Sequence, residues 1–274
     1  YLNEQAIMNS PSMTLNSFAK MANENSKLTL IFVHGNSQSP AIWQHQLSAT
    51  ELQHFNLVTI ALPGHGQSQK MKNYSIIKIT GMLVEEINKE QDYILIGHSL
   101  GGHFCIEALP KLNSCLGLLL CGTPPLKKPL NIYEAFNEDE RMALLFQENL
   151  NIDELEDLAN FISSAEDKTI LKSMIKESDG KFRSDLGIAV GMGELLDEVD
   201  ILTKTKLPIA FVQGDLDCLV NKSYLEKIAL HIDRKKRVYF IEKSGHSPHF
   251  ENPVAFNKIV LEFVSSLQQS WKTA

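Results

Sequence analysis

The sequence predicts an α/β protein, a mostly parallel, doubly wound sheet with a helical segment inserted between two strands. Three observations carry this expectation. Short apolar, β-branched runs recur along the chain, and each stops at a glycine or loop residue. Helical patterns alternate with these runs up to residue 122 and again from residue 207. Between Thr123 and Lys206 the alternation breaks and only helical patterns remain. Continuous apolar runs mark strands buried on both faces, the condition of a parallel sheet covered by helices.

Taken in chain order, the predicted strands are 28–33 (LTLIFV), 57–62 (LVTIAL), 93–96 (YILI), 116–121 (LGLLLC), 208–212 (PIAFV) and 238–241 (VYFI). Ile76, Ile79, Leu83 and Ile87 follow helical spacing ahead of strand 93–96. Ile106 and Leu109 do so after it, where Pro110 helps to end the helix. Tyr224, Ile228 and Leu230 mark a further helix, and Phe256, Ile259, Val260, Phe263 and Leu267 the last.

Within the insertion, Asn151 and Glu154 have capping-box spacing ahead of Ile152, Leu155, Leu158 and Ile162. Ser164 is placed to cap a helix carrying Ile170, Leu171, Met174 and Ile175. Pro124, Pro125 and Pro129 mark the entry to this segment, and Pro208 follows its exit. The expected organisation is a core of residues 1–122 and 207–274 with a helical cap at 123–206.

Composition excludes several function classes. The 274 residues are 43% hydrophobic and 22% charged, within the range of soluble globular chains. A net charge of −7 argues against nucleic acid or an anionic membrane as the main partner. The acidity is concentrated: residues 131–200 hold 18 Asp/Glu against 6 Lys/Arg, read as solvated helix faces. Cys105, Cys115, Cys121 and Cys218 have neither C-x-x-C nor zinc spacing, and most sit in apolar runs, as buried free thiols do. No apolar stretch reaches the roughly 18 residues of a membrane span. Residues 1–20 lack the apolar region of a secretion signal, so the cytoplasm is the expected compartment. The chain begins at Tyr1 rather than Met, compatible with a processed start.

The chemistry concentrates at Gly97-His98-Ser99-Leu100-Gly101, set between a predicted strand and a predicted helix. This is G-x-S-x-G in the strand–turn–helix setting of a nucleophile elbow. The turn forces the serine into a strained conformation, and the glycines provide clearance for the neighbouring backbone. The helix N-terminus favours negative charge at Ser99.

A serine hydroxyl needs a base, and among nine histidines His246 is the best placed, in the short loop after the last strand. His249, three residues on, reads as an exposed loop residue. His98 and His103 should point away from the serine Oγ, His34 should order the loop it stands in, and His65 belongs to a surface turn. The base in turn needs a carboxylate to hold its tautomer. Strand 208–212 runs into Gly214-Asp215-Leu216-Asp217. Asp217 is preferred because its spacing lets it reach past the turn, whereas Asp215 reads as a turn residue. The chain order Ser, Asp, His is that of the nucleophile-elbow enzymes. Oxyanion donors are assigned to the backbone N–H groups of Leu100 and Asn36. The Asn36 side chain is a candidate substrate contact, with an Asx-turn the equal alternative. Trp43 is a candidate pocket wall, with packing the equal alternative. No metal-binding motif or dinucleotide fingerprint is present, so no metal and no cofactor is expected.

The whole chain resembles the α/β-hydrolase superfamily, through His34-Gly35, Pro63-Gly64-His65-Gly66-Gln67-Ser68, the elbow with Gly102, Asp217 and Gly245-His246. The resemblance implies the α/β-hydrolase fold, Ser99 as nucleophile, His246 as base, Asp217 as acid, and 123–206 as a cap over the substrate. Ala61 departs from it, since many members have aspartate there. A narrower set looks like the metal-independent N-acyl-homoserine lactonases of this fold. It comprises Leu28 through Gly35-Asn36-Ser37, Ser99 through His103, Ile106-Glu107, Leu120 through Pro125, and Leu207 through Ala210.

The expected function is that of a serine hydrolase cleaving a small or medium ester or lactone with an acyl chain, N-acyl-homoserine lactone first. A general carboxylesterase follows, then a C–C bond hydrolase or haloperoxidase-like activity on the same residues. A ligand receptor with a slow or vestigial triad is the reading from a different class. Oligomeric state is not expressed in the sequence.

Overall fold

The computed structural model describes residues 15–20, 26–232 and 238–272. The chain start and the polar stretch before residue 15, read above for a leader, lie outside the described residues.

Seven strands form one sheet: β1 (Asn16–Lys20), β2 (Thr29–Val33), β3 (Asn56–Ala61), β4 (Tyr93–His98), β5 (Cys115–Cys121), β6 (Ile209–Gly214) and β7 (Val238–Ile241). Their spatial order is β1-β3-β2-β4-β5-β6-β7, with β1 antiparallel to β3 and every other pair parallel. All six predicted strands are present, with ends shifted by up to two residues. β1 was not predicted. It is an edge strand whose residues are largely exposed, so it carries no continuous apolar run.

Burial explains the apolar runs. Along β2, Leu30 and Phe32 enter the core on one face of the sheet while Ile31 and Val33 enter the core on the other. β4 alternates likewise, Ile94 and Ile96 against Tyr93 and Leu95. The helices are α1 (Gln44–Ser48), α2 (Ile76–Ile87), α3 (Leu100–Ala108), α4 (Ile132–Ala135), α5 (Ile152–Ile162), α6 (Thr169–Glu177), α7 (Gly180–Gly191), α8 (Glu198–Lys204), α9 (Lys222–Ile232), α10 (Pro248–Glu251) and α11 (Pro253–Lys272). α2, α3 and α9 cover one face of the sheet, and α11 lies on the other through Phe256, Phe263 and Leu267.

Helices α4 to α8 all lie between β5 and β6, as the break in alternation predicted. The Asn151–Glu154 capping box is formed. Ser164, however, caps nothing: α6 begins after Lys168 without a side-chain cap. Its hydroxyl instead donates to Glu251 and accepts Gly245 N–H at 2.9 Å. On α9 the buried face is Tyr224, Leu225, Ile228 and Ala229, while Leu230 is exposed, because the 3.6-residue repeat carries it off the buried stripe. Cys105 and Cys121 are buried thiols, but Cys218 is exposed in the loop after β6.

Candidate active site

Because β2, β4, β6 and β7 run parallel, their carboxyl ends open on one edge of the sheet, where sites of open α/β sheets are built. The loop after β4 is the tightest of these. Ser99 has φ 51° and ψ −123°, a conformation costly for a residue with a Cβ, and α3 begins at the next residue. Ser99 N–H donates to Cys121 O at 2.8 Å, and Thr123 Oγ donates to Ser99 O at 3.0 Å, so the neighbouring strand end holds the turn. The glycines are required by contact rather than by φ: a Cβ on Gly97 would stand 2.5 Å from Gly102 Cα, and one on Gly101 would strike the carbonyls of Val33 and His34.

His246 Nε2 lies 2.9 Å from Ser99 Oγ, and His246 Nδ1 lies 2.7 Å from Asp217 Oδ2. The other oxygen of Asp217 accepts Leu219 N–H at 2.7 Å and Val220 N–H at 3.2 Å. Gln213 also donates to Oδ2. Burial pushes the Asp217 carboxyl up, but His246 beside it and these donors together hold it below its ordinary value. Asp217 is thereby kept as an acceptor for Nδ1–H, which leaves Nε2 free to accept the serine proton. Asp215 is engaged elsewhere, accepting Ser244 N–H at 3.3 Å.

The loop after β2 is held by histidines. Leu62 N–H donates to His34 Nε2 at 3.0 Å, and Ser37 N–H donates to His65 Nε2 at 3.1 Å. The opposite nitrogens lie 2.8 Å from Gly35 O and 3.0 Å from Pro63 O, so both rings are neutral, with Nδ1 donating. This loop presents Asn36 beside Ser99. Neither Asn36 N–H nor Leu100 N–H donates to a protein acceptor among the described residues, which leaves both available to a developing oxyanion. The Asn36 side chain donates to Leu145 O at 2.8 Å and accepts from Ser37 Oγ at 3.2 Å.

Four buried rings, His34, His65, His98 and His249, are expected to make stability pH-dependent. Burial first, then neighbouring ring charge, lowers His34 to about 3 and His98 to about 3, and burial lowers His65 to about 4. Unfolded, each protonates near 6.5. Between about pH 6.5 and 4 the unfolded chain binds more protons, so stability falls with pH by about 1 kcal/mol per unit per ring. Glu107, pushed up to about 7 chiefly by burial, acts in the opposite sense between its unfolded and folded values, but burial also lowers His249 well below the ordinary histidine value, so one group stands against four. Urea unfolding should therefore show a lower midpoint at pH 5 than at pH 7. An equal or higher midpoint at pH 5 would mean that these rings are not held neutral.

Asn36, Ser99 and Leu100 line one apolar cavity. Most of its remaining wall comes from the segment between β5 and β6, including Met142, Leu145, Phe146, Leu186, Val190 and Leu195. The surface offered to a ligand is thus hydrocarbon on one side and hydrogen-bonding next to Ser99, an arrangement suited to an acyl chain on a carbonyl.

Three sequence expectations are corrected here. Trp43 does not line this cavity. It is fully buried against Phe32, His249 and Phe256, because its short helical turn points it into the core. His249 is not an exposed loop residue but fully buried, its ring 4.1 Å from that of Trp43. His65 is not on the surface but buried beneath the Ser37 loop.

Sequence reasoning missed several supports. His98 reaches His246 O through Nε2 and Gln38 Oε1 through Nδ1, each at 2.9 Å. Arg183 on α7 is buried and donates to Ser37 Oγ at 3.2 Å, tying α7 to the Asn36 loop. Glu251 accepts Gly245 N–H at 2.5 Å and Ser247 N–H at 3.1 Å, bracketing His246. The position of His98 inside the elbow was the only sequence signal for any of these.

Known proteins share this arrangement of chain. The family model described as Alpha/beta hydrolase family matches residues 30–259. A solved structure of the N-acyl homoserine lactonase AidH, complexed with N-butanoyl homoserine, is similar at a TM-score of 0.86 and 25% identity, covering 94% of this chain and 96% of that one. The pimeloyl-[acyl-carrier protein] methyl ester esterase of Nitrosomonas europaea is 24% identical over 237 residues, 83% of this chain and 92% of that protein. The monoacylglycerol lipase abhd6-B of Xenopus laevis is 24% identical over 267 residues, 89% of this chain and 77% of that protein.

Proposed function

The chain belongs to the alpha/beta hydrolase family, and from that premise we propose that it is a serine hydrolase of acyl-chain lactones, N-acyl homoserine lactones first. The observation that carries this reading is the continuous hydrogen-bonded line from Asp217 through His246 to Ser99 at the mouth of an apolar cavity. In the proposed reaction Ser99 Oγ attacks the lactone carbonyl while His246 Nε2 takes its proton. The N–H groups of Asn36 and Leu100 hold the oxyanion. On collapse the ring C–O bond breaks and His246 returns the proton to the ring oxygen, leaving a hydroxyacyl ester on Ser99. Water then gives a proton to His246 and attacks that ester, the serine C–O bond breaks as His246 passes that proton back to Ser99 Oγ, and the open-chain hydroxy acid leaves. Residues 123–206 act as a cap that supplies the acyl wall to a core of 1–122 and 207–274.

Similarity to the AidH lactonase supports the lactone. The esterase and lipase relatives favour a second reading, a linear carboxylic ester with the same chemistry. No helix among the described residues is long and apolar enough to cross a membrane. Proton release from N-hexanoyl homoserine lactone and colour release from nitrophenyl butyrate, each with and without chelator, test the proposal. Ring opening unaffected by chelator is expected. Turnover of the linear ester alone would select the second reading, turnover of neither would remove both, and loss with chelator would remove the metal-free mechanism.

A further inference from the structure

The cavity beside Ser99 has one polar wall residue beyond the serine and Asn36, and that is His103. His103 stands in the first turn of α3, which begins directly after Ser99, and both residues line the same cavity. Its Nδ1 is committed, lying 2.9 and 3.0 Å from the two oxygens of Glu198. Glu198 is fully buried and also accepts Leu126 N–H at 2.7 Å, which ties α8 back to the chain just after β5. That accounts for Glu198 as a structural anchor. It does not account for His103 Nε2, which has no hydrogen-bond partner among the described residues although His103 is only 7% exposed.

Since Glu198 can only accept, Nδ1 carries a hydrogen and the ring is oriented, with Nε2 left for the cavity. A plain hydrocarbon chain drawn into this cavity would strip water from Nε2 and give nothing back. A chain bearing an amide a few bonds from the scissile carbonyl would complete the hydrogen bond instead.

We propose that His103, oriented by Glu198, is a specificity-determining residue that hydrogen-bonds a polar group, an amide first, on the acyl side of the substrate. This rests on the lactonase reading above. The test compares N-hexanoyl homoserine lactone with α-heptyl-γ-butyrolactone, which keeps ring and chain length but replaces the amide with methylenes. The wild type should favour the amide substrate in kcat/KM by on the order of tenfold or more. His103→Leu alone would strand a buried carboxylate, so the paired His103→Leu/Glu198→Met removes both groups. His103→Gln serves as a second variant that can still donate to Glu198.

In whichever variant remains folded by circular dichroism, the preference should shrink several-fold, mainly through KM for the amide substrate. A merely structural role would lower both substrates alike, and an unchanged ratio in a folded variant would overturn the proposal. Failure of the lactonase reading looks different: the wild type would turn over neither lactone while still hydrolysing nitrophenyl butyrate, which would overturn the amide assignment along with that reading.

Discussion

Ser99→Ala is expected to lower kcat for ester or lactone hydrolysis by on the order of 10⁶ while leaving the protein folded. The loss follows from chemistry that no other group in the cavity can supply. Ser99 Oγ is the only hydroxyl within hydrogen-bond reach of His246 Nε2 among the described residues, at 2.9 Å. Without it, His246 can only activate water, and the proposed oxyanion donors, the N–H groups of Asn36 and Leu100, are expected to sustain a residual rate of roughly 10³–10⁴ over the uncatalysed reaction. Stability should change little. Alanine meets the same backbone penalty at φ 51° that serine already bears, and the elbow is held through main-chain atoms, Ser99 N–H to Cys121 O and Thr123 Oγ to Ser99 O. Active-site titration with a nitrophenyl ester should give a burst in the wild type and none in the variant. Equal turnover by the two proteins, both folded, would remove Ser99 from the mechanism.

Asp217→Asn should cost about 10⁴ in kcat, through the tautomer of His246 rather than through shape. The carboxylate now accepts Nδ1–H through Oδ2 and two main-chain N–H groups through Oδ1. An asparagine keeps its oxygen for Leu219 and Val220 N–H, which puts its NH₂ against Nδ1. His246 then accepts at Nδ1 and carries its hydrogen on Nε2, facing Ser99 Oγ with no capacity to take a proton. KM should change far less than kcat, because Asp217 does not line the cavity. Asp215→Asn is the control, since among the described residues the Asp215 side chain meets Ser244 N–H alone and Asn can still accept there. A large loss in that control together with a small one in Asp217→Asn would exchange the two assignments.

Much of the fold was legible because its strands are buried on both faces. A strand such as 93–96 must be apolar at consecutive positions, which no half-exposed strand or amphipathic helix requires. β1 escaped for the complementary reason: it lies at the edge, against β3 alone, and its exposed residues carry no apolar signal. The helical content of 123–206 was legible from the capping box and the 3.6-residue repeat, but the role of Ser164 was not. Local spacing made it a helix cap, whereas its partners, Gly245 and Glu251, stand more than eighty positions away.

The histidines divide along the same line. Ser99 and His246 stand in local patterns whose geometry follows from strand, turn and helix. For His249, His65 and Trp43 the sequence offered only a loop or a neighbouring turn, and exposure was misjudged or left open because burial depends on which distant elements cover a residue. What the sequence by itself determined is the sheet, the elbow at Ser99, and the chain order of Ser99, Asp217 and His246. These are set by periodicity and steric contact over a few residues. What only the tertiary structure decided is the apolar wall lent by 123–206, the hold of Arg183 and His65 on the Asn36 loop, and the pairing of His103 with Glu198. Each joins residues far apart in the chain, and a buried hydrogen bond or ion pair has no period by which a sequence could announce it.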